Sequence, residues 1–238
     1  MSLKQSSGGT LCGMPRTARA IVADCCYHVL NRANHKAQVF HERADYEQFL
    51  ALISRAQARL TVPILAACLM PNHVHLVMRP TAAGDLADWM HWAFTTHVRW
   101  YHAKYSTTGR VWQGRFKAFA VQEDQHLLTL MRYVERNALR ARLVERAEDW
   151  EWGSLAWRRS HCAPIVLAES PVPLPSYWRQ FANDPQTSVE LAEIRTCVNR
   201  QRPFGAPDWV RRQVGALGLE SSVTPVGRPP RSRRVPFC

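Results

Sequence analysis

Apolar and polar positions alternate along the chain in two periods, one near 2 and one near 3.6, and the order of these periods predicts the architecture. From Ile21 onward, Cys25-Cys26-Tyr27-His28-Val29-Leu30 reads as a first strand that runs into the polar stretch Asn31 to His35. Between Asp45 and Leu60 the apolar positions Tyr46, Phe49, Leu50, Ile53 and Leu60 fall at helical spacing, and Pro63 punctuates the end. Ile64 to Met70 has the length of a buried strand. Pro71-Asn72 turns it into a second one, His73 to Met78, as a hairpin. Side chains alternate along a strand, so Val74, Leu76 and Met78 share one face while His73 and His75 share the other. After Gly84-Asp85, the series Leu86, Trp89, Met90, Ala93, His97, Trp100 and Tyr101 predicts a long helix. Residues 109–121 combine a Gly/Arg-rich loop with a strand.

The order strand, helix, strand, strand, helix, strand is the split β-α-β of a ferredoxin-like α+β sheet, with both helices on one face. If those helices cover Val74, Leu76 and Met78, the histidines lie on the uncovered face and another element must fill it. Asp124 is a good N-cap for a helix running to about Arg142, with an apolar stripe of Leu127, Leu130, Met131, Val134 and Ala138. At about 100° per residue, Tyr133 and Asn137 fall together on the flank of that stripe, roughly 6 Å apart.

Beyond Val144, Trp150, Trp152 and Trp157 read as anchors that fold the chain back on the domain, and a proline-rich connector spans 164–175. These features divide the chain into a flexible start (1–20), one domain (21–160), an accessory helical region (161–220) and a disordered basic tail (221–238). The tail carries Arg228, Arg231, Arg233 and Arg234 among prolines, a composition suited to gripping nucleic acid without sequence preference.

Charge narrows the choice of partner. The 238 residues include 31 Lys and Arg against 19 Asp and Glu, a formal net charge of +12. That balance predicts an acidic polymer, and nucleic acid ahead of a membrane surface because no basic amphipathic helix dominates. The seven cysteines form an odd set with no C-x-x-C, which predicts reduced thiols. No apolar run is long enough to span a bilayer and the polar start lacks a signal peptide's apolar centre, so a soluble, cytoplasmic protein is expected.

Candidate chemistry gathers at four places. A His-x-His pair on a strand supplies two ligands to one side of a divalent ion, although such pairs also occur merely half-exposed. Tyr133 offers a phenol as nucleophile and Asn137 a carboxamide oxygen as hard-metal ligand; a core-rim tyrosine and a solvated asparagine are the plain alternatives. Arg132, Arg136, Arg140 and Arg142 add charge suited to a phosphate backbone, as do Arg110, Arg115 and Lys117 unless they form a solvated loop. Trp112 suits either base stacking or the core.

Taken together, Pro71-Asn72-His73-Val74-His75-Leu76-Val77, then Val111-Trp112-Gln113-Gly114-Arg115-Phe116-Lys117, then Tyr133-Val134-Glu135-Arg136-Asn137-Ala138-Leu139-Arg140-Ala141 resemble the single-tyrosine HUH transposases. Within these the chain is most similar to the REP-associated tyrosine transposases, relatives of the small insertion-sequence transposases. The resemblance covers residues 20–160 and, more loosely, Arg202-Pro203-Phe204-Gly205 and Gly227-Arg228-Pro229-Pro230. It departs at Ala138-Leu139, where the family pattern has Pro-Val.

The resemblance implies Tyr133 as nucleophile and His73, His75 and Asn137 as ligands of Mg²⁺ or Mn²⁺. By charge and position, the candidate DNA contacts are Arg110, Arg115, Lys117, Arg136, Arg140 and the tail arginines Arg228, Arg231, Arg233 and Arg234. The activity implied is cleavage and rejoining of single-stranded or hairpin-flanked DNA through a 5′-phosphotyrosine, in a bacterial, nucleoid-associated monomer or homodimer. A free phenol has a pKa of about 10 and the sequence names no base for it. The competing readings are a non-catalytic DNA-binding regulator derived from such a transposase, and a metal-dependent hydrolase with a water nucleophile.

Overall fold

In a computed structural model, which describes residues 21–160 and 163–224, the two periods resolve into an antiparallel sheet of four strands in the order β2-β3-β1-β4. The strands are β1 (Cys26–Arg32), β2 (Ile64–Met70), β3 (His73–Met78) and β4 (Lys117–Val121). Helix α1 (Arg43–Arg59) joins β1 to β2 and helix α2 (Asp85–Tyr105) joins β3 to β4. This is the expected α+β, ferredoxin-like βαββαβ arrangement.

Strand periodicity gives the sheet two different faces. Tyr27, Val29, Val74, Leu76 and Met78 pack with Phe49, Ile53, Trp89 and Phe94 of α1 and α2 in one cluster. Cys26, Cys68, Met70, Val77, Phe119 and Val121 face the other way and pack under Leu127, Leu130, Met131 and Val134 of α3 (Gln125–Glu135). A register shift in β2 between Ile64 and Ala66 turns both Leu65 and Ala66 toward that second face. The guanidinium of Arg158 donates to the Leu65 carbonyl beside the irregularity.

Strand β1 runs to Arg32, two residues into the stretch read as polar, and two helix boundaries also differ from the sequence reading. Helix α1 starts at Arg43 because Asp45 sits inside its first turn, where Oδ2 accepts the backbone N–H groups of His41 at 2.6 Å and Glu42 at 3.1 Å. Asp45 also accepts from Tyr105 and Lys104, so the start of α1 is tied to the end of α2. The helix expected to reach Arg142 breaks at Arg136 (φ −83°, ψ 2°) into α3 and the short α4 (Asn137–Arg140). There the Tyr133 carbonyl accepts from the Arg140 guanidinium at 3.3 Å.

Both sheet edges are covered. Leu69 N–H donates to Trp152 O and Ala168 N–H to Ile64 O along β2, while Phe204 N–H donates to Ala120 O along β4. The Trp150 indole N–H donates to Leu69 O, which bears out its reading as an anchor. The later region holds α5 (Ser154–Trp157), α6 (Trp178–Asn183), α7 (Ser188–Arg200), α8 (Pro207–Leu217) and α9 (Glu220–Val223). The described cysteines Cys25, Cys26, Cys68 and Cys197 are free thiols. No described helix is long and apolar enough to cross a membrane. The stretch 1–20 and Arg228, Arg231, Arg233 and Arg234 lie outside the described residues.

His97 of α2 is wholly buried against Phe49, Phe40 and Trp112, and neither ring nitrogen has a hydrogen-bond partner. Burial lowers its pKa from 6.5 to about 4. Between those values the unfolded chain binds more protons than the folded one, so stability is present above pH 6.5 and is lost as pH falls toward 4. We expect His97 to contribute about 3 kcal/mol of acid destabilisation once the pH is below its folded pKa. Urea unfolding of the wild type and His97→Leu at neutral and acid pH checks this: the variant should lose less stability on acidification, and equal losses would contradict it.

Candidate active site

Strands β1 and β3 deliver three imidazoles to the sheet face opposite α1 and α2. His28 pairs with Val77 and Leu30 with His75, so His28 and His75 are diagonal neighbours on one face. Their rings stack with centroids 5.0 Å apart, and His28 Nε2 lies 2.8 Å from His75 Nδ1. His73 stands two residues before His75, its ring 4.9 Å away and half-exposed.

One hydrogen bond fixes the tautomer of His73. Asn72 donates its amide N–H to Lys36 O at 3.0 Å, which turns Oδ1 toward His73 Nδ1 at 2.6 Å. An amide oxygen only accepts, so Nδ1 of His73 carries the proton and Nε2 keeps its lone pair. In His75, Nδ1 shares a hydrogen bond with His28 Nε2 in which either ring can be the donor, and Nε2 is the nitrogen outside that bond.

Electrostatics hold these rings neutral. Burial, then the nearby His73, takes His28 down to about 3. Burial, then Arg32 and Arg140, takes His73 to about 3, and burial with both neighbouring rings puts His75 well below its ordinary value. Neutral imidazole is the form that ligates a metal.

Helix α3 brings the phenol. The Tyr133 ring stands edge-on to His75 with centroids 5.9 Å apart and edge-on to His28 at 6.4 Å. The Arg140 guanidinium lies over the Tyr133 ring at 4.1 Å and donates to Asn137 Oδ1 at 2.7 Å. Asn137 is nearly buried and its Nδ2 has no partner.

A hub below the site holds α3 in place. The buried Glu135 carboxylate accepts from Ser154 Oγ (2.6 Å), Arg158 Nε (2.9 Å) and Trp178 Nε1 (2.7 Å). Ser154 Oγ accepts in turn from the Ala67 N–H of β2 at 3.0 Å. Arg132, on the same helix, pairs with Glu190 of α7 at 3.0 Å. These bonds join the tyrosine helix to α5 and the residue that caps it, to α6 and to α7 of the same chain.

His73, His75, Tyr133 and Asn137 thus line one cavity of about 440 Å³, together with Arg32, Arg115, Lys117, Arg140 and Arg195. Among the described residues no carboxylate lines it, so the chamber suits an anion. Among the described residues no group of three His, Cys, Asp or Glu side chains is placed to hold a metal. The donor set here is two imidazoles and a carboxamide. These groups could hold a hard divalent ion, with Asn137 Oδ1, which already accepts from the Arg140 guanidinium, keeping a second lone pair.

The other residues singled out in the sequence fall in different places. Arg115 and Lys117 line the cavity, held near it because Gln113 N–H donates to Arg32 O and Asn34 N–H to Val111 O. Arg140 is packed against the tyrosine. Arg110 lines a neighbouring cavity, and Arg136 donates to Asn183 O at 3.2 Å beside a separate groove. Trp112 is core, with Phe94 at 4.9 Å.

Sequence reasoning gave no role to His28, Asn72, Arg32 or Arg195. His28 becomes legible only with the β1–β3 register, because its spacing to Val29 and Leu30 marks nothing but a strand. Arg195 comes from α7, some sixty residues from Tyr133 along the chain.

Residues 21–137 match the family described as IS200-like transposases. Among solved structures the chain is similar to a REP-associated tyrosine transposase bound to a REP hairpin, with a TM-score of 0.50 at 14% identity over 74% of this chain and 100% of that one. At that identity the likeness is one of fold. A candidate transposase from Deinococcus radiodurans R1 matches at 16% identity over 51% of this chain and 96% of that one, with a TM-score of 0.37, too low to carry an argument. No curated protein matches the chain.

The geometry makes a spectroscopic prediction. At pH 7, long-range ¹H–¹⁵N spectra should show His73 protonated at Nδ1, and His28→Leu should leave that tautomer fixed while changing the His75 signals. An Nε2-protonated His73 in the wild type would contradict the hydrogen-bond assignment.

Proposed function

The chain belongs through residues 21–137 to the IS200-like transposases, and on that premise we propose that it cleaves and rejoins single-stranded or hairpin-flanked DNA with Tyr133 as nucleophile. The observation that carries this reading is the convergence of a phenol, two neutral imidazoles and a carboxamide on one cavity walled by cations. A phosphodiester resists attack because its non-bridging oxygens share a negative charge. Arg32, Arg115, Lys117 and Arg195 attract that charge, and their ring of positive potential holds the phosphate against the sheet.

Tyr133 then attacks phosphorus in line. Its oxygen forms the P–O bond, the bond to the 3′ oxygen breaks, and the phenolic proton is lost while the departing 3′ oxygen gains one. The products are a 5′-phosphotyrosine and a free 3′-OH, so bond energy is conserved and the strand is rejoined without ATP. Arg140 holds the ring, and Glu135, through Ser154, Arg158 and Trp178, holds the helix beneath it. His73, His75 and Asn137 are the residues that would hold Mg²⁺ or Mn²⁺, which when bound offsets charge on the phosphate oxygens. His28 acts through its hydrogen bond to His75, and its removal should cost about 10- to 100-fold in metal affinity.

A single strand suits the site because in-line attack on a stacked duplex is hindered, and hairpin recognition is the property of the REP-associated relative whose fold this chain shares.

The test uses a labelled single strand carrying the cleavage site, Mg²⁺ and a denaturing gel. The wild type should form a covalent protein–DNA adduct that Tyr133→Phe abolishes while strand binding persists. Cleavage that survives Tyr133→Phe would assign a water nucleophile, and binding without an adduct in the wild type would assign a regulatory module.

A further inference from the structure

Beside the histidine cavity lies a larger one, of about 550 Å³, for which the strand-transfer reading has no task. One wall is a face of α2, where Asp88, His91, Thr95 and Val98 recur at steps of three or four residues. The opposite wall is the loop 109–116, fixed to the end of β1 by the Asn34–Val111 and Gln113–Arg32 backbone bonds. Phe94 and Trp112 close the back at 72° to one another. Arg110 and Arg115 stand exposed at the rim.

Two residues join this cavity to the first. Asn31, on β1 and only 5% exposed, lines both, and so does Arg115. A ligand that spans the pair must therefore carry an anionic group at the histidines and a second group within reach of α2.

The wall chemistry says what that second group is. Aromatic rings and Val98 suit a flat apolar surface. The Asp88 carboxylate and the Asn31 carboxamide suit the edge of a ring that both donates and accepts hydrogen bonds. Arginines at the mouth suit a phosphate attached to it. A nucleotide has all three parts, and its base is free to enter such a pocket only when unpaired. The volume falls within the roughly 300–1,000 Å³ usual for small-ligand sites.

We propose that this cavity receives one unpaired nucleobase of the strand whose phosphate occupies the histidine cavity. The assignment rests on the strand-transfer reading for the identity of the strand, and on the two shared residues for its path. Placing a base there sets the register of the strand, and so which phosphodiester meets Tyr133.

The test uses the full chain carrying Tyr133→Phe, so that binding is read without cleavage. Single strands with one abasic site each, walked across the cleavage position, are titrated by fluorescence anisotropy. One position, or two adjacent ones, should lose about 10-fold in affinity, the scale of one lost stacking contact. Thr95→Trp fills the cavity from its half-buried wall; it should bind the intact strand about 10-fold more weakly and no longer distinguish that abasic strand. Thr95→Val should behave as the parent. If Thr95→Trp melts early, His91→Trp on the exposed part of the same wall replaces it.

Equal affinity for every abasic strand, or an abasic penalty that survives the filled cavity, overturns the proposal. Failure of the strand-transfer reading shows separately: the chain with Tyr133 intact would give no adduct while the abasic pattern and its loss on filling persist.

Discussion

A four-stranded sheet with both crossover helices on one side has a second apolar face that water would otherwise meet. Covering that face is the constraint on which the rest of the structure depends. Helix α3 provides the cover with Leu127, Leu130, Met131 and Val134, and because Tyr133 flanks that stripe it arrives beside His28 and His75. Packing therefore sets the distance between the phenol and the imidazoles. The Glu135 hub makes the placement specific, since an acid buried without its three donors would be costly.

The same burial tunes the chemistry. Three imidazoles close together among arginines are stable only if they stay neutral, and low solvation together with mutual repulsion keeps them so. Neutrality preserves the lone pairs, and the contact from Asn72 decides which lone pair of His73 stays free. Cations are left to the walls, where Arg32, Arg115, Lys117 and Arg195 line the chamber with positive charge. Arg140 does both jobs, stacking on the ring of Tyr133 while it orients Asn137.

The strand and helix order was legible because each period is long enough to read. Ile64–Met70 is apolar throughout since both of its faces are buried, and His73–Met78 alternates because one face holds the core and the other the site. What escaped was non-local. The register shift in β2, the pairing of His28 with His75 and the arrival of Arg195 from α7 depend on contacts between distant segments, and local composition carries no mark of them. The break at Arg136 escaped for a different reason: Glu135, Arg136, Ala138 and Leu139 favour helix and outweigh the weaker Val134 and Asn137, and it is the Arg140 side chain that accompanies the turn. Arg136 and Arg140 illustrate the limit of reading charge alone, since one docks on Asn183 and the other on the tyrosine.

If covering the second face is what assembles the site, the ion-binding atoms and the phenol must meet inside a single folded chain. Anomalous diffraction from crystals of the full chain grown with Mn²⁺ measures this most directly. The account predicts a peak within coordination distance of Nε2 of His73 and His75, with Asn137 and the Tyr133 hydroxyl of the same chain facing it. A peak elsewhere, or imidazoles that hold the ion while the tyrosine of that chain points away, would contradict it.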